Sequence, residues 1–84
     1  MTTKFSVIND KKDEPTLEDA QAFVEGWVEP VGLSNGDLLL INEEGLMRGF
    51  DINNKATIIA NTTIVGNAML IKKDALKDMK GWRA

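Results

Sequence analysis

A β-hairpin within residues 26–49 constrains the fold of this chain more than any other feature of the sequence. Two mostly apolar stretches, VEPVGL and DLLLIN, flank Asn35 and Gly36. Asn-Gly is the pair most typical of a two-residue type I′ turn, because both central residues of that turn need positive φ. The segment therefore predicts two antiparallel strands, followed by an acidic loop that begins at Asn42.

A two-residue turn also fixes which residues pair across the hairpin. It places Val31 opposite Leu40, and it puts Glu29 and Glu43 on opposite faces of the two strands. Both faces are then mostly apolar, so each requires a covering layer from the rest of the chain or from a second subunit. We therefore expect a homo-oligomer, of which a dimer is the simplest closed form. Pro30 cannot donate to a ladder, so its strand is predicted at an edge of the sheet or at a bulge.

The remaining segments carry weaker patterns. Thr16 followed by Asp19 predicts a helix start with a capping box, and Gly26 is a natural stop for that helix. Residues 53–60 are ambiguous, because Asn53 can cap a short helix whereas the β-branched residues that follow favour a strand. The other predicted elements are a strand at residues 4–9, a strand at 63–71 and a terminal helix at 74–80.

These elements predict one small α+β domain. Its sheet, antiparallel or mixed, is expected to have three to five strands around the Asn-Gly hairpin, with two or three short helices. A chain of 84 residues supports a single modest core, with a strand and exposed link in 1–15, the core helix and sheet in 16–72, and a short helix and tail in 73–84. We assign the large apolar side chains to that core, namely Trp27, Trp82, Met47, Met69 and Met79.

The composition disfavours several classes of function. The chain has no cysteine and no histidine, so it lacks the usual thiol nucleophile, the usual general base and the ligands of common zinc sites. Its net charge of −3 disfavours nucleic acid, whose phosphates require a basic surface. No apolar stretch has the length of a membrane span or of a signal-peptide core, so we expect a cytoplasmic protein with no membrane contact. No cofactor is predicted.

Carboxylates are the remaining candidates for chemistry. Glu29, Glu43, Glu44 and Asp51 have the side chains needed for acid–base catalysis or for binding Mg²⁺ or Ca²⁺. However, residues 42–45 lack the alternating ligand spacing of a calcium loop, and turn chemistry alone accounts for the Asn, Glu and Gly residues there. The sequence therefore assigns no catalytic residue and no metal site.

Two sets of polar residues are candidates for binding. The first is a protein-contact surface at the end of the hairpin, formed by Asn42, Glu43, Glu44 and Arg48. The second is a possible small-ligand site, formed by Arg48, Asn53, Asn54 and Lys55. In this set the planar guanidinium of an arginine suits a phosphate, and asparagine amides suit the edge of a base or a ribose. The ordinary alternative is an ion pair of Arg48 with Glu43 or Glu44.

Several of these segments together resemble a known family. They are EGWVE at 25–29, LSNGDL at 33–38, NEEG at 42–45, Gly49, NNKAT at 53–57 and IVG at 64–66. The pattern is similar to a small domain of unknown function, numbered 3846 in the unknown-function series, that occurs in bacteriophages and mobile elements. The resemblance covers residues 23–70, although RGFD at 48–51 replaces a more apolar Gly-Leu-Pro-like run. It implies a phage or mobile-element origin and a soluble accessory role, and it implies no activity.

Three functions follow as expectations, in decreasing order. The first is a non-catalytic phage accessory protein in the host cell that binds a host or phage protein and modulates host machinery or defence. The second is an oligomeric small-ligand binder that sequesters a nucleotide-type signal. The third is a carboxylate- or Mg²⁺-dependent enzyme.

Overall fold

A four-stranded mixed sheet forms the centre of the protein. The structure is a computed structural model, and it describes residues 3–82. The strands are β1 (Phe5–Ile8), β2 (Val28–Gly32), β3 (Leu38–Asn42) and β4 (Ala68–Ile71), and the helices are α1 (Leu17–Val24), α2 (Asn54–Ala60) and α3 (Lys73–Leu76), with a 3-10 turn at Lys11–Asp13. The α+β class is thereby confirmed.

The strands lie in the order β1-β4-β3-β2. The hairpin pairs β2 with β3, β3 is antiparallel to β4, and β4 is parallel to β1. The strand that carries Pro30 is at an edge of the sheet, which is one of the two places predicted for it. The two central strands are the most apolar, and β4 is buried along its whole length.

The hairpin turn is longer by one residue than predicted. Leu33 pairs with Asp37 through a backbone hydrogen bond of 2.9 Å, and the amide of Gly36 donates to the carbonyl of Leu33 at 3.0 Å. Gly36 has a φ of +95°, so the connection is a three-residue loop with a glycine bulge. The predicted register is wrong by one residue, and Val31 pairs with Leu39.

This shift exchanges the faces of β2 relative to β3, because a slip of one residue moves every side chain to the other side. Helices α1 and α3 cover one face, over a core that includes Leu40, Ile71 and Met79. Helix α2 covers the opposite face, over a core that includes Leu39 and Leu70. The chain therefore covers both apolar faces of its own hairpin, and they supply no argument for a second subunit.

Helix α1 begins where the sequence predicts. The hydroxyl of Thr16 accepts from the amide of Asp19 at 3.0 Å, and the carboxylate of Asp19 accepts from the amide of Thr16 at 3.1 Å. This is a complete capping box. The helix ends at Val24, and Glu25 follows in the left-handed conformation with a φ of 66°. Ala20 and Val24 are buried, whereas Leu17 is largely exposed.

Residues 54–60 form a helix and not a strand, and Asn53 is the residue before it. The side chain of Asn53 accepts from the amide of Ala56 at 3.2 Å, which caps the first turn of α2. The hydroxyl of Thr57 accepts from the amide of Ile64 at 2.9 Å, so a β-branched residue connects this helix to the segment that follows. That segment is not the long strand predicted at 63–71, since Gly66 with a φ of 80° interrupts it and β4 begins at Ala68.

A buried carboxylate joins the hairpin to α3. Asp37 accepts from the amide of Lys73 at 2.8 Å and from the Nζ of Lys72 at 2.9 Å, and Asn35 donates to it at 3.1 Å. Burial by itself raises the pKa of Asp37, but the hydrogen bond and charge of Lys72, with the Lys73 amide and Asn35, hold this pKa below its usual value of 3.8. Asp37 therefore caps α3, and this helix spans Lys73–Leu76 and not the predicted 74–80.

The predicted core is partly confirmed. Met69 and Met79 are buried, and the indole of Trp82 donates to the carbonyl of Pro15 at 2.8 Å while it packs on the α1 side. The prediction is wrong for Trp27 and Met47, which are 66% and 86% exposed. Within residues 3–82, none of the helices has the length and apolar character required to cross a membrane.

Candidate functional site

Residues 43–49 form a turn-rich loop between β3 and α2, and it contains most of the predicted contact residues. Its first anchor is Asn42, whose side chain is buried. The Nδ2 of Asn42 donates to the carbonyl of Val24 at 3.0 Å, and its Oδ1 accepts from the amide of Glu44 at 2.7 Å. Asn42 thus joins the end of α1 to the loop, and it presents no free surface to a partner.

Backbone hydrogen bonds hold the rest of the 43–49 loop. The amides of Arg48 and Phe50 donate to the carbonyls of Glu44 and Gly45 at 2.9 and 3.1 Å. Gly45 is buried, and a Cβ added to it would lie 2.9 Å from the side chain of Val65. The loop is therefore fixed against the segment before β4, and only a glycine fits at this contact.

Arg48 anchors the carboxyl-terminal end of the loop. Its Nη1 donates to the carbonyl of Glu25 at 2.6 Å, and its guanidinium carbon lies 4.8 Å from the centroid of the Phe50 ring. The carbonyl ends of a helix attract a cation, because the last carbonyls have no partner within the helix. Arg48 therefore caps α1, and its contacts are not the predicted ion pair with Glu43 or Glu44.

The loop nevertheless exposes its large apolar side chains. Leu46 and Met47 are 77% and 86% exposed. Trp27 lies at the base of the loop, where its carbonyl accepts from the amide of Glu43 at 2.9 Å. Residue type alone does not distinguish these side chains from core residues. The signal that was available is their position among consecutive turn residues after Gly45, where a connection runs over the surface.

Acidic side chains border the apolar part of the loop. Glu29 and Glu43 line one groove of about 230 Å³ together with Leu46 and Met47. The prediction that Glu29 and Glu43 lie on opposite faces is therefore wrong, and the one-residue shift of the hairpin register is the reason. Glu44 is exposed beside them. The loop thus combines an exposed apolar surface with a carboxylate border, and we call residues 43–47 the acidic-apolar surface.

The residues predicted to bind a small ligand do not form a common surface as the residues of the 43–49 loop do. Asn53 is buried, and its Nδ2 donates to the carbonyls of Lys4 and Gly66 at 3.0 and 2.9 Å. Because its Oδ1 caps α2, every polar atom of this side chain is already used. Asn54 and Lys55 are exposed on the first turn of α2.

The cleft beside Phe50 has a different lining. It measures about 130 Å³, and its charged residues are Glu25 and Asp51. Two carboxylates at the wall oppose the approach of a phosphate group, because like charges repel. The cleft therefore gives no support to the expected nucleotide-type ligand.

The described part of the chain holds no further sign of a ligand. Within residues 3–82, His, Cys, Asp and Glu side chains form no group of three or more that could hold a metal ion. Buried side-chain nitrogen and oxygen atoms in the same range all have hydrogen-bond partners. A buried polar atom without a partner is costly and often marks a binding site, and the described interior contains none.

These features define a small α+β domain with a fixed, outward-facing loop. The chain belongs to the family described as a domain of unknown function, DUF3846, whose model matches residues 3–81. The resemblance noted in the sequence is therefore confirmed at the level of the family. No curated protein and no solved structure matches the chain.

Proposed function

We propose that this protein is a non-catalytic binding domain that contacts another protein through the acidic-apolar surface. The observation that carries the proposal is the contrast between the ordered backbone of the 43–49 loop and the exposure of Leu46 and Met47. Exposed apolar clusters bordered by polar groups are typical of protein interaction sites. The lack of histidine and cysteine in the sequence supports a role in binding over catalysis.

The hydrogen bonds of Asn42 and Arg48 prepare the loop for binding. A loop that is already ordered loses little conformational entropy when a partner docks, so more of the contact energy remains as affinity. Methionine suits such a surface, because its flexible side chain adapts to irregular apolar pockets. An exposed tryptophan at the base of the loop adds a residue type that is enriched at the centres of interfaces.

The border of the surface indicates the chemistry of the partner. Glu29 and Glu43 line the groove that also contains Leu46 and Met47, and Glu44 is exposed next in the chain, whereas Arg48 is engaged with the end of α1. We therefore propose a partner with an apolar pocket that is flanked by lysine or arginine. Complementary charges of this kind raise the association rate and the specificity more than the affinity itself.

The biological setting is part of the same proposal. The family resemblance supports an origin in a phage or mobile element, and the partner is then a host or phage protein in the host cytoplasm. A small protein that covers a functional surface of host machinery or of a defence protein acts without any chemistry of its own.

Capture from a lysate of the natural host tests the proposal. We expect an immobilised wild-type protein to retain one or a few host or phage proteins, and the double variant Leu46→Ser and Met47→Ser to lose them. The matched control is Ile58→Ser on α2, because Ile58 is equally exposed but lies outside the surface. The charge reversals Glu43→Lys and Glu44→Lys should weaken capture most at low ionic strength.

Two results would count against the proposal. Capture that survives the Leu46 and Met47 changes would place the contact elsewhere on the molecule. Capture lost equally in the Ile58→Ser control would indicate a general effect of apolar surface, and circular dichroism of each variant excludes unfolding as the cause.

A further inference from the structure

The two edges of the sheet differ in their ability to pair with another strand. Trp27 and Leu33, which flank β2, direct backbone groups towards the β3 side of the hairpin, so by alternation the groups of Val28, Pro30 and Gly32 point outward. The middle residue of this free edge is a proline, which has no N–H to donate. Edge prolines of this kind prevent edge-to-edge association.

The edge at β1 carries no such protection. Its sequence Phe-Ser-Val-Ile contains neither a proline, a glycine nor a charge. The carbonyls of Lys4 and Ile8 accept from the amides of Ala68 and Lys72 at 3.0 Å, so the even-numbered residues face β4. The amides and carbonyls of Phe5 and Val7 therefore point away from the sheet, and Val7 is also 43% exposed.

We propose that β1 pairs with β1 of a second copy of this chain, in antiparallel orientation about a two-fold axis at Ser6. In this register Phe5 faces Val7 of the second copy, and the outward backbone groups of these residues form hydrogen-bonded pairs across the axis. The two four-stranded sheets then join into one continuous sheet. This inference concerns a surface other than the 43–49 loop and does not depend on the proposed function.

Side-chain pairing favours a second copy as the occupant. Phe5 packs on the α2 side of the sheet, and Val7 lies on the same face by alternation. An aromatic residue opposite a β-branched one is a stabilising cross-strand pair, and the two-fold axis forms this pair twice. At the axis itself two serines meet, and their small side chains permit the short separation of a non-hydrogen-bonded pair.

The short strand limits the strength of this dimer. Four residues on each side form an interface at or below the small end of specific contacts, which is about 1,200 Å². We therefore expect a dimer that depends on concentration, and not a permanent one. Sedimentation velocity should show the weight-average mass rising from the 9.3 kDa monomer towards twice that value as the concentration is increased.

A single cysteine reports the position of the axis. The chain has no cysteine, so Ser6→Cys carries a unique thiol, and opposed residues at the axis have Cα atoms about 4.5 Å apart, which a disulfide can span. The matched control is Ser34→Cys at the exposed hairpin tip. We expect Ser6→Cys to form a disulfide dimer under mild oxidation at least about tenfold faster than Ser34→Cys, because pairing raises the effective concentration of the thiols.

Proline substitution then tests the edge itself. Val7→Pro removes an outward N–H on β1 and Val28→Pro removes the equivalent group on β2, so the first should abolish the rise in mass and the second should not. Val7→Lys serves in place of Val7→Pro if the proline variant fails to fold. A mass that stays at the monomer value, a dimer that survives the Val7 changes, or equal oxidation rates at positions 6 and 34 would each overturn the proposal.

Discussion

The substitution Asp37→Ala tests the connection between the hairpin and the carboxyl-terminal part of the chain. Asp37 is buried, and its carboxylate accepts from Lys73, Lys72 and Asn35. Removing it leaves the first amide of α3 without its cap and leaves a small gap beside the hairpin turn. Because α3 has only four residues, it has little helical stability of its own, and we expect this part of the chain to loosen first.

The contacts of Asp37 give the expected loss of unfolding free energy in Asp37→Ala. Loss of a helix cap costs about 1 kcal/mol, and donors that lose a buried acceptor cost about 1–2 kcal/mol more. The ion pair adds little, since the side chain of Lys72 is 43% exposed and an exposed pair contributes about 0–1 kcal/mol. We therefore expect Asp37→Ala to lower the free energy of unfolding by about 3 kcal/mol, and Lys72→Met by about 1 kcal/mol or less.

Urea unfolding followed by tryptophan fluorescence measures both changes in unfolding free energy, because Trp82 follows α3 in the chain and packs on the α1 side of the core. Asp13→Ala is the control, since Asp13 is an exposed aspartate whose replacement should stay within about 0.5 kcal/mol of the wild type. If Lys72→Met destabilises the protein as much as Asp37→Ala does, the charge pair and not the cap supplies most of the stabilisation, which would refute the role given to the cap.

Three further predictions follow from single residues. The lowered pKa of Asp37 means that its carboxylate stabilises the fold above about pH 4, and that this contribution is lost as the pH falls through the lowered pKa. The free energy of unfolding, measured at decreasing pH, should therefore fall less steeply in Asp37→Asn than in the wild type. Equal curves would contradict a stabilising role for the Asp37 carboxylate. Asn53→Ala should cost about 2–4 kcal/mol, because it removes a cap and the partner of two carbonyls, whereas a change of about 0.5 kcal/mol in urea unfolding, as expected for exposed Asn54→Ala, would show that the cap is dispensable. Gly66→Ala should lower the melting temperature more than Gly49→Ala, because both have positive φ but only at Gly66 would the new Cβ lie 2.7 Å from Phe50; similar shifts would mean that Phe50 moves aside at no cost.

The hairpin shows how far local sequence determines structure. Asn35-Gly36 predicts a turn flanked by two strands, and the turn forms there. It does not determine whether the loop has two or three residues, since both geometries accept a glycine with positive φ. A strand with one polar face would decide the register, but both faces of this hairpin are apolar, so a slip of one residue leaves the pattern nearly unchanged. Packing of the helices on the two faces of the sheet decides between the two registers.

The candidate site was predictable as a region but not in its detail. The sequence identifies the segment that contains Glu43, Glu44 and Arg48, because turn residues cluster there. It does not separate asparagines that serve the fold from those that face solvent. The side chains of Asn42 and Asn53 donate hydrogen bonds to backbone carbonyls of distant segments. These carbonyls lie 18 and 49 residues away along the chain, so no local sequence pattern predicts the contacts.

The sequence alone determined the α+β class and the capping box that starts α1, and it limited the proline strand to an edge or a bulge, because each depends on residues within a few positions of one another. Only the tertiary structure decided the hairpin register, the helical state of residues 54–60, and the exposure of Trp27, Leu46 and Met47. These depend on which segments pack together, and burial of a side chain is a property of its neighbours in space. The physical reason is the same for the cap of α3, where the buried carboxylate of Asp37 comes from the hairpin, 36 residues before Lys73 in the chain.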